Sequence, residues 1–78
     1  MSDYRMDIRG DIGLSEYSNI YDYLGIVDAN DKFTITLDQD TEHELNIISS
    51  MLEKNNFLIS EEGHDGTGNY YINAYKVK

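Results

Sequence analysis

From Asp3 to Arg9 the chain alternates polar and apolar residues without a break: the odd positions are Asp3, Arg5, Asp7 and Arg9, the even ones Tyr4, Met6 and Ile8. A period of two sends successive side chains to opposite sides of an extended backbone, so the segment predicts a strand with one buried face. Gly10 and Gly13 punctuate it. Leu14, Tyr17, Ile20, Tyr21 and Leu24 then recur at helical spacing, with Ser15 as candidate N-cap and Gly25 in the place of a C-terminal stop, which predicts a helix over 15–24.

Asp28-Ala29-Asn30-Asp31 has turn chemistry, because Asp and Asn side chains bond their own backbone. Phe33, Ile35 and Leu37 alternate with Thr34, Thr36 and Asp38 in a second strand rich in β-branched residues. The period then changes. Thr41-Glu42-His43-Glu44 matches a capping box, followed by Leu45, Ile48, Met51 and Leu52 as an apolar stripe that Ile47 widens. Asn55-Asn56 closes this helix, expected over 42–55, since Asn enters the left-handed C-terminal conformation readily. Segments 57–62 and 69–77 read as two strands of an antiparallel hairpin around the glycine-rich loop 63–68.

The order β-α-β-α-β-β predicts an α+β fold, with two helices packed on one face of a four-stranded mixed or antiparallel sheet. Residues 1–78 form one domain, without repeat or linker. Tyr70, Ile72 and Ala74 fall on one face of the last strand and Tyr71, Asn73, Tyr75 and Val77 on the other, so one tyrosine-bearing face is expected outside the core. A domain this small buries only about 60% of the surface of its unfolded chain. With no cysteine to staple it, its stability comes from packing or self-association. A homodimer is therefore expected, through the edge of the last strand or a helix face. No apolar run resembles a signal peptide or a membrane span, so the cytoplasm is the expected compartment.

The motifs that carry chemistry fail on inspection. Asp38, Asp40 and Glu42 are spaced like the first ligands of a calcium loop, but His43 stands where the turn needs glycine and Ser49 where it needs a bidentate Glu. Asp28 and Asn30 fail likewise, with Phe33 at the glycine position. His43 and His64 have no second ligand at helical or loop spacing, and no serine lies in a nucleophile elbow. Gly63 to Gly68 is followed by neither a lysine nor a helix, and Glu61, Glu62 and Asp65 would repel a phosphate. No catalytic residue, metal or cofactor is expected.

Charge changes the picture most. Fifteen acidic against six basic residues give a net charge of −9, spread along the chain and not gathered in a tail. The stretch 10–31 holds Asp11, Glu16, Asp22, Asp28 and Asp31 without a cation, and 33–53 holds Asp38, Asp40, Glu42, Glu44 and Glu53 in the same way. Such a field repels nucleic acid and anionic lipid and attracts basic surfaces. Neither direct nucleic-acid binding nor membrane binding is expected. Carboxylates two apart on a strand are separated by about 6.6 Å, close to the spacing of successive phosphates along a DNA strand.

In size, acidity and lack of enzymatic motifs the chain resembles, over its whole length, the small acidic DNA-mimic proteins with which bacteriophages inhibit host DNA-binding proteins. The targets of such inhibitors include the nucleoid protein HU, uracil-DNA glycosylase and restriction enzymes. The resemblance implies a non-enzymatic inhibitor in the host cytoplasm with a role in host takeover or counter-defence. Its partner would be a basic DNA-binding protein, held in competition with DNA. From the charge pattern, the expected partner-binding residues are Asp11, Glu16, Asp22, Asp38, Asp40, Glu42 and Glu44. The alternative expectation is a generic acidic interaction domain that uses the tyrosine-bearing sheet.

Overall fold

The computed structural model describes residues 2–10, 12–38 and 42–77, the side chain of Glu42 excepted. Strand β1 (Asp3–Ile8), helix α1 (Leu14–Ile26), strand β2 (Lys32–Leu37), helix α2 (Glu42–Lys54), and strands β3 (Phe57–His64) and β4 (Tyr70–Lys76) follow in the expected order. The sheet is mixed, with strand order β1-β2-β4-β3. β1 and β2 run parallel, which a crossover such as α1 makes possible, and β4 runs antiparallel to both neighbours. The last strand is thus internal, and the dimer contact expected along its edge has no free edge to use.

Register assigns every strand residue to one of two faces. On one face lie Tyr4, Met6 and Ile8 of β1, then Phe33, Ile35 and Leu37 of β2, with Ile72 and Ala74 of β4 and Phe57 of β3 beside them. Both helices cover this face, and Ile20, Leu24, Val27, Ile48 and Leu52 complete a single buried core with no buried polar residue among those described. Each such large apolar side chain removed from water contributes about 1.5–3 kcal/mol, which is what holds a domain of this size together.

Helix α1 departs from the expected pattern at three points. It begins at Leu14 with Gly13 as N-cap, so Ser15 lies within the first turn. It continues through Gly25 to Ile26, with Val27 as the extended C-cap. Its buried side is also rotated: Tyr23 packs inward, stacked on Phe33 at 5.4 Å and edge-on to Tyr4 at 6.3 Å. Leu14 (83% exposed) and Tyr21 (62%) face solvent. With 3.6 residues per turn, a stripe centred on Ile20 and Leu24 takes in Tyr23 and Val27 before Tyr21.

Helix α2 keeps the expected stripe, with Ile48 and Leu52 buried and Leu45 and Met51 packed against the core. Asn56 has φ 65°, the left-handed conformation expected after the helix. Thr41, and with it the expected capping box, lies outside the described residues.

β3 runs two residues further than its alternation predicts, to His64, because a bulge resets the pattern. Ile59 pairs with Ala74 and Glu61 with Asn73, which leaves Ser60 as the extra residue. The reset turns Glu61 to the uncovered face. His64 therefore ends a strand instead of sitting in a loop, with its ring edge-on to Tyr70 at 5.2 Å. The connecting turn is closed by Asp65, whose Oδ1 accepts from the Thr67 hydroxyl at 2.6 Å and from the Thr67 and Asn69 amides at 2.8 and 3.1 Å.

Candidate functional site

Of the carboxylates expected to meet a partner, Asp22 is exposed on α1, where it lines a groove between this helix and β1. Two others bond the chain's own backbone. Glu16 accepts from the Gly13 amide at 2.9 Å, which satisfies one of the donors left open at the start of α1. Asp38 is exposed and accepts from the Gly10 amide at 2.8 Å; Gly10 has φ 74°, and this bond holds the turn that leaves β1 against the end of β2.

Glu44 is half-buried in the first turn of α2, close enough to Tyr17 of α1 for its charge to act on the phenol. The Tyr17 pKa is raised, first by burial and then by that carboxylate, so the phenol stays protonated over the physiological range. Asp11 and Asp40, with the side chain of Glu42, lie outside the described residues.

Because β1, β2 and β3 all run in one direction, their C-terminal ends lie at the same end of the sheet, where both helices begin. Glu16, Asp38 and Glu44 belong to this end, together with the turn at Asp65; Asp22 lies in the second half of α1, away from it. The four described residues therefore do not form one compact cluster. They lie on the helix side and its leading loops, where Lys54, in the last turn of α2, is the single lysine or arginine of either helix. Asp28 and Asp31 extend the cation-free run beyond α1. Asp31 accepts from the Ser2 amide at 2.8 Å and the Asp28 amide at 3.0 Å, and these two backbone donors hold its carboxyl below the usual range.

The opposite face of the sheet has no covering layer among the described elements, and it was only partly legible in the sequence. Across its middle run Arg5, Thr34, Asn73 and Glu61, flanked by one row of Asp3, Lys32, Tyr75 and Leu58 and another of Asp7, Thr36 and Tyr71. The Thr34 hydroxyl donates to Asn73 at 2.8 Å, the Tyr71 hydroxyl to Glu61 at 2.6 Å, and the Thr36 hydroxyl to Asp7. The Tyr71 pKa is raised, chiefly because ionisation would break its bond to the Glu61 carboxylate. Leu58 and Tyr75 leave an apolar patch at one end, 50% and 41% exposed. Alternation in each strand predicted that a polar face exists, but the order of the strands, which no local pattern encodes, decides which residues meet on it.

Among the described residues no group of three His, Cys, Asp or Glu side chains is placed to hold a metal ion, and no helix is long and apolar enough to cross a membrane. The concave places are open, and their linings mix polar and apolar residues. The one at the strand ends, about 440 Å³, is walled by Arg5, Arg9, Asp38 and Asp65, charges of both signs over a short distance. Comparisons with protein-family models, with curated proteins and with solved structures gave no match to this chain.

Proposed function

We propose that the protein acts by binding, as an inhibitor that presents the acidic helix side to a basic DNA-binding protein and competes with DNA for it. One observation supports this reading above the others, and it is the segregation of charge between the two sides of the fold. Arg5, Arg9 and Lys32 are carried on β1 and β2 and their ends, interleaved with acids, whereas α1 and α2 have Lys54 as their only lysine or arginine. A carboxylate engaged by a backbone amide, as Glu16 and Asp38 are, still contributes its charge to the field. The helix side is therefore anionic over a rigid layer, and a surface built to meet phosphates would release its counterions on meeting it.

The deciding experiment is capture of a partner from bacterial lysate, followed by competition with duplex DNA. Binding is expected to weaken steeply as salt rises, and the triple change Asp22→Asn, Asp40→Asn, Glu42→Gln is expected to weaken it further at constant fold. A captured partner that lacks a basic surface, or that binds DNA undiminished in the complex, would sink the proposal.

A second reading has its own observation, the exposed Leu58 and Tyr75 on the open face, since aromatic residues are enriched at protein interfaces. In that case Tyr75→Ser would abolish capture and the carboxylate changes would leave it intact. The two readings predict opposite results from the same pair of variants.

A further inference from the structure

We propose that two copies of this chain associate edge to edge through β1. In this arrangement β1 pairs antiparallel with the β1 of the second copy about a two-fold axis at Met6, joining the two four-stranded sheets into one. β1 is an outer strand. Its inner side is occupied by β2: the Lys32 amide donates to the Ser2 carbonyl at 2.9 Å and the Asp38 amide to the Ile8 carbonyl at 3.2 Å. Alternate residues of a strand turn their backbone groups to the same side. Even-numbered residues thus serve β2, while Asp3, Arg5 and Asp7 direct their N–H and C=O groups outward, a row of donors and acceptors ready to take another strand.

The charges choose both the occupant and the register. Read about Met6, the segment Asp3-Tyr4-Arg5-Met6-Asp7-Ile8-Arg9 is complementary to its own reverse. With Met6 opposite Met6 of the second copy, Arg5 faces Asp7, Asp3 faces Arg9 and Tyr4 faces Ile8. Every charged pair is of opposite sign on the open face, and every apolar pair lies on the covered face. The pairs that exchange backbone hydrogen bonds are then the odd-numbered ones, whose groups point outward, so backbone and side-chain requirements agree.

Sliding either way to the next register that keeps the faces puts Arg5 opposite Arg5 with Asp3 opposite Asp7, or Asp7 opposite Asp7 with Arg5 opposite Arg9. Both set like charges face to face, which is unfavourable across strands. A two-fold axis perpendicular to the sheet also leaves the helices of both copies on one face. The second copy would enter the groove of about 590 Å³ between β1 and α1, where Met6 and Tyr23 line the wall and the 57% exposed Ile26 stands at the rim.

The other edge of the sheet is built differently. β3 carries the Ser60 bulge and the consecutive acids Glu61 and Glu62, which would confront their own copies or a second acidic strand. Bulges and repeated charge are the usual devices that keep an edge single, and β1 has neither.

The test is charge exchange read by sedimentation equilibrium, with circular dichroism to establish that each variant is folded. The native chain is expected to sediment as twice its 9.0 kDa at micromolar concentration. Arg5→Asp or Asp7→Arg alone would create like-charge pairs and raise the dimer dissociation constant about tenfold or more. The double exchange Arg5→Asp with Asp7→Arg is expected to restore dimerisation, and so is an equimolar mixture of the two single variants.

An independent readout uses the absence of cysteine from the chain. Met6→Cys would face itself in a pair without backbone hydrogen bonds at a Cα separation of about 4.5 Å, within the range a disulfide spans. Mild oxidation should then give a covalent dimer, while Leu58→Cys on β3 stays monomeric. A native chain that remains at 9.0 kDa, a dimer indifferent to both single exchanges, or equal cross-linking by the two cysteine variants would overturn the proposal.

Discussion

The covered and open faces of the sheet are made from the same four strands, residue by residue in alternation, yet they are held by different physics. On the covered face Phe33, Ile35 and Leu37 are buried against Ile48, Leu52 and Ile72, and nothing polar intervenes. On the open face the neighbours of those residues, Thr34 and Thr36, are half-buried and bonded to Asn73 and Asp7. Burial scales with area and is indifferent to direction, whereas each hydrogen bond adds little because water offers a substitute. Stability is therefore concentrated on one face, and the other is left available for contact with another molecule.

Truncating adjacent residues of β2 tests the difference between the two faces most directly. Phe33→Ala is expected to cost about 3–5 kcal/mol in denaturant unfolding, enough to unfold much of the population of so small a domain. Thr34→Ala, one residue along, should cost only about 1 kcal/mol, the worth of its bond to Asn73. Equal losses at the two positions would show that the open face is as much a part of the core as the covered one.

Acid should act on the turns that border the faces before it acts on the core. Asp31 and Asp65 have pKa values lowered from 3.8 by backbone and hydroxyl donors. A carboxyl whose folded value is depressed adds stability above its unfolded value, and that stability is lost as pH falls from about 4 through the folded value. Unfolding followed between pH 6 and 2 should show this loss, and Asp65→Asn should flatten part of it. An acid limb unchanged in both Asp65→Asn and Asp31→Asn would contradict the assignment.

Alkali provides the counterpart on the open face. Tyr71 has a pKa raised from 10.0 by its bond to Glu61, so its contribution is complete below 10 and disappears as pH rises through the folded value. Tyr71→Phe should remove that alkaline step and lower neutral stability by the contribution of this exposed bond. The smallest effect is expected on the outside of α1: Gly25 is helical, exposed and open to an added Cβ, so Gly25→Ala should raise stability by up to about 1 kcal/mol. A loss at Gly25 would mean that the outer surface of the helix is covered.

The elements were legible wherever one period dominated. β1, β2 and α2 lie within a residue or two of their predicted bounds, because alternation or a strong apolar stripe runs through each. The misreadings fall where two signals competed. Gly25 carries a stop signal, but α1 continues to Ile26 because Leu24 and Val27 are both buried by the core and the chain between them follows. Tyr21 and Tyr23 are equally apolar in sequence, and the stripe set by buried Ile20 and Leu24 over Phe33 selects Tyr23. The β3 bulge has no local signature, since Ser60 is an ordinary strand-surface residue.

The number and type of elements, the buried sides of β1 and β2, the acidic character of the chain and the lack of any recognised catalytic motif were all readable in the sequence. Those properties follow from the period and composition of contiguous residues, and proximity along the chain is enough to read them. Only the tertiary structure decided that β4 enters between β2 and β3, that β1 is left at an edge, and that Arg5 and Lys32 share a face with Tyr71 and Tyr75. Strand order depends on how a whole helix layer and a whole sheet bury one another, a balance summed over residues far apart in the chain, and no local window contains it.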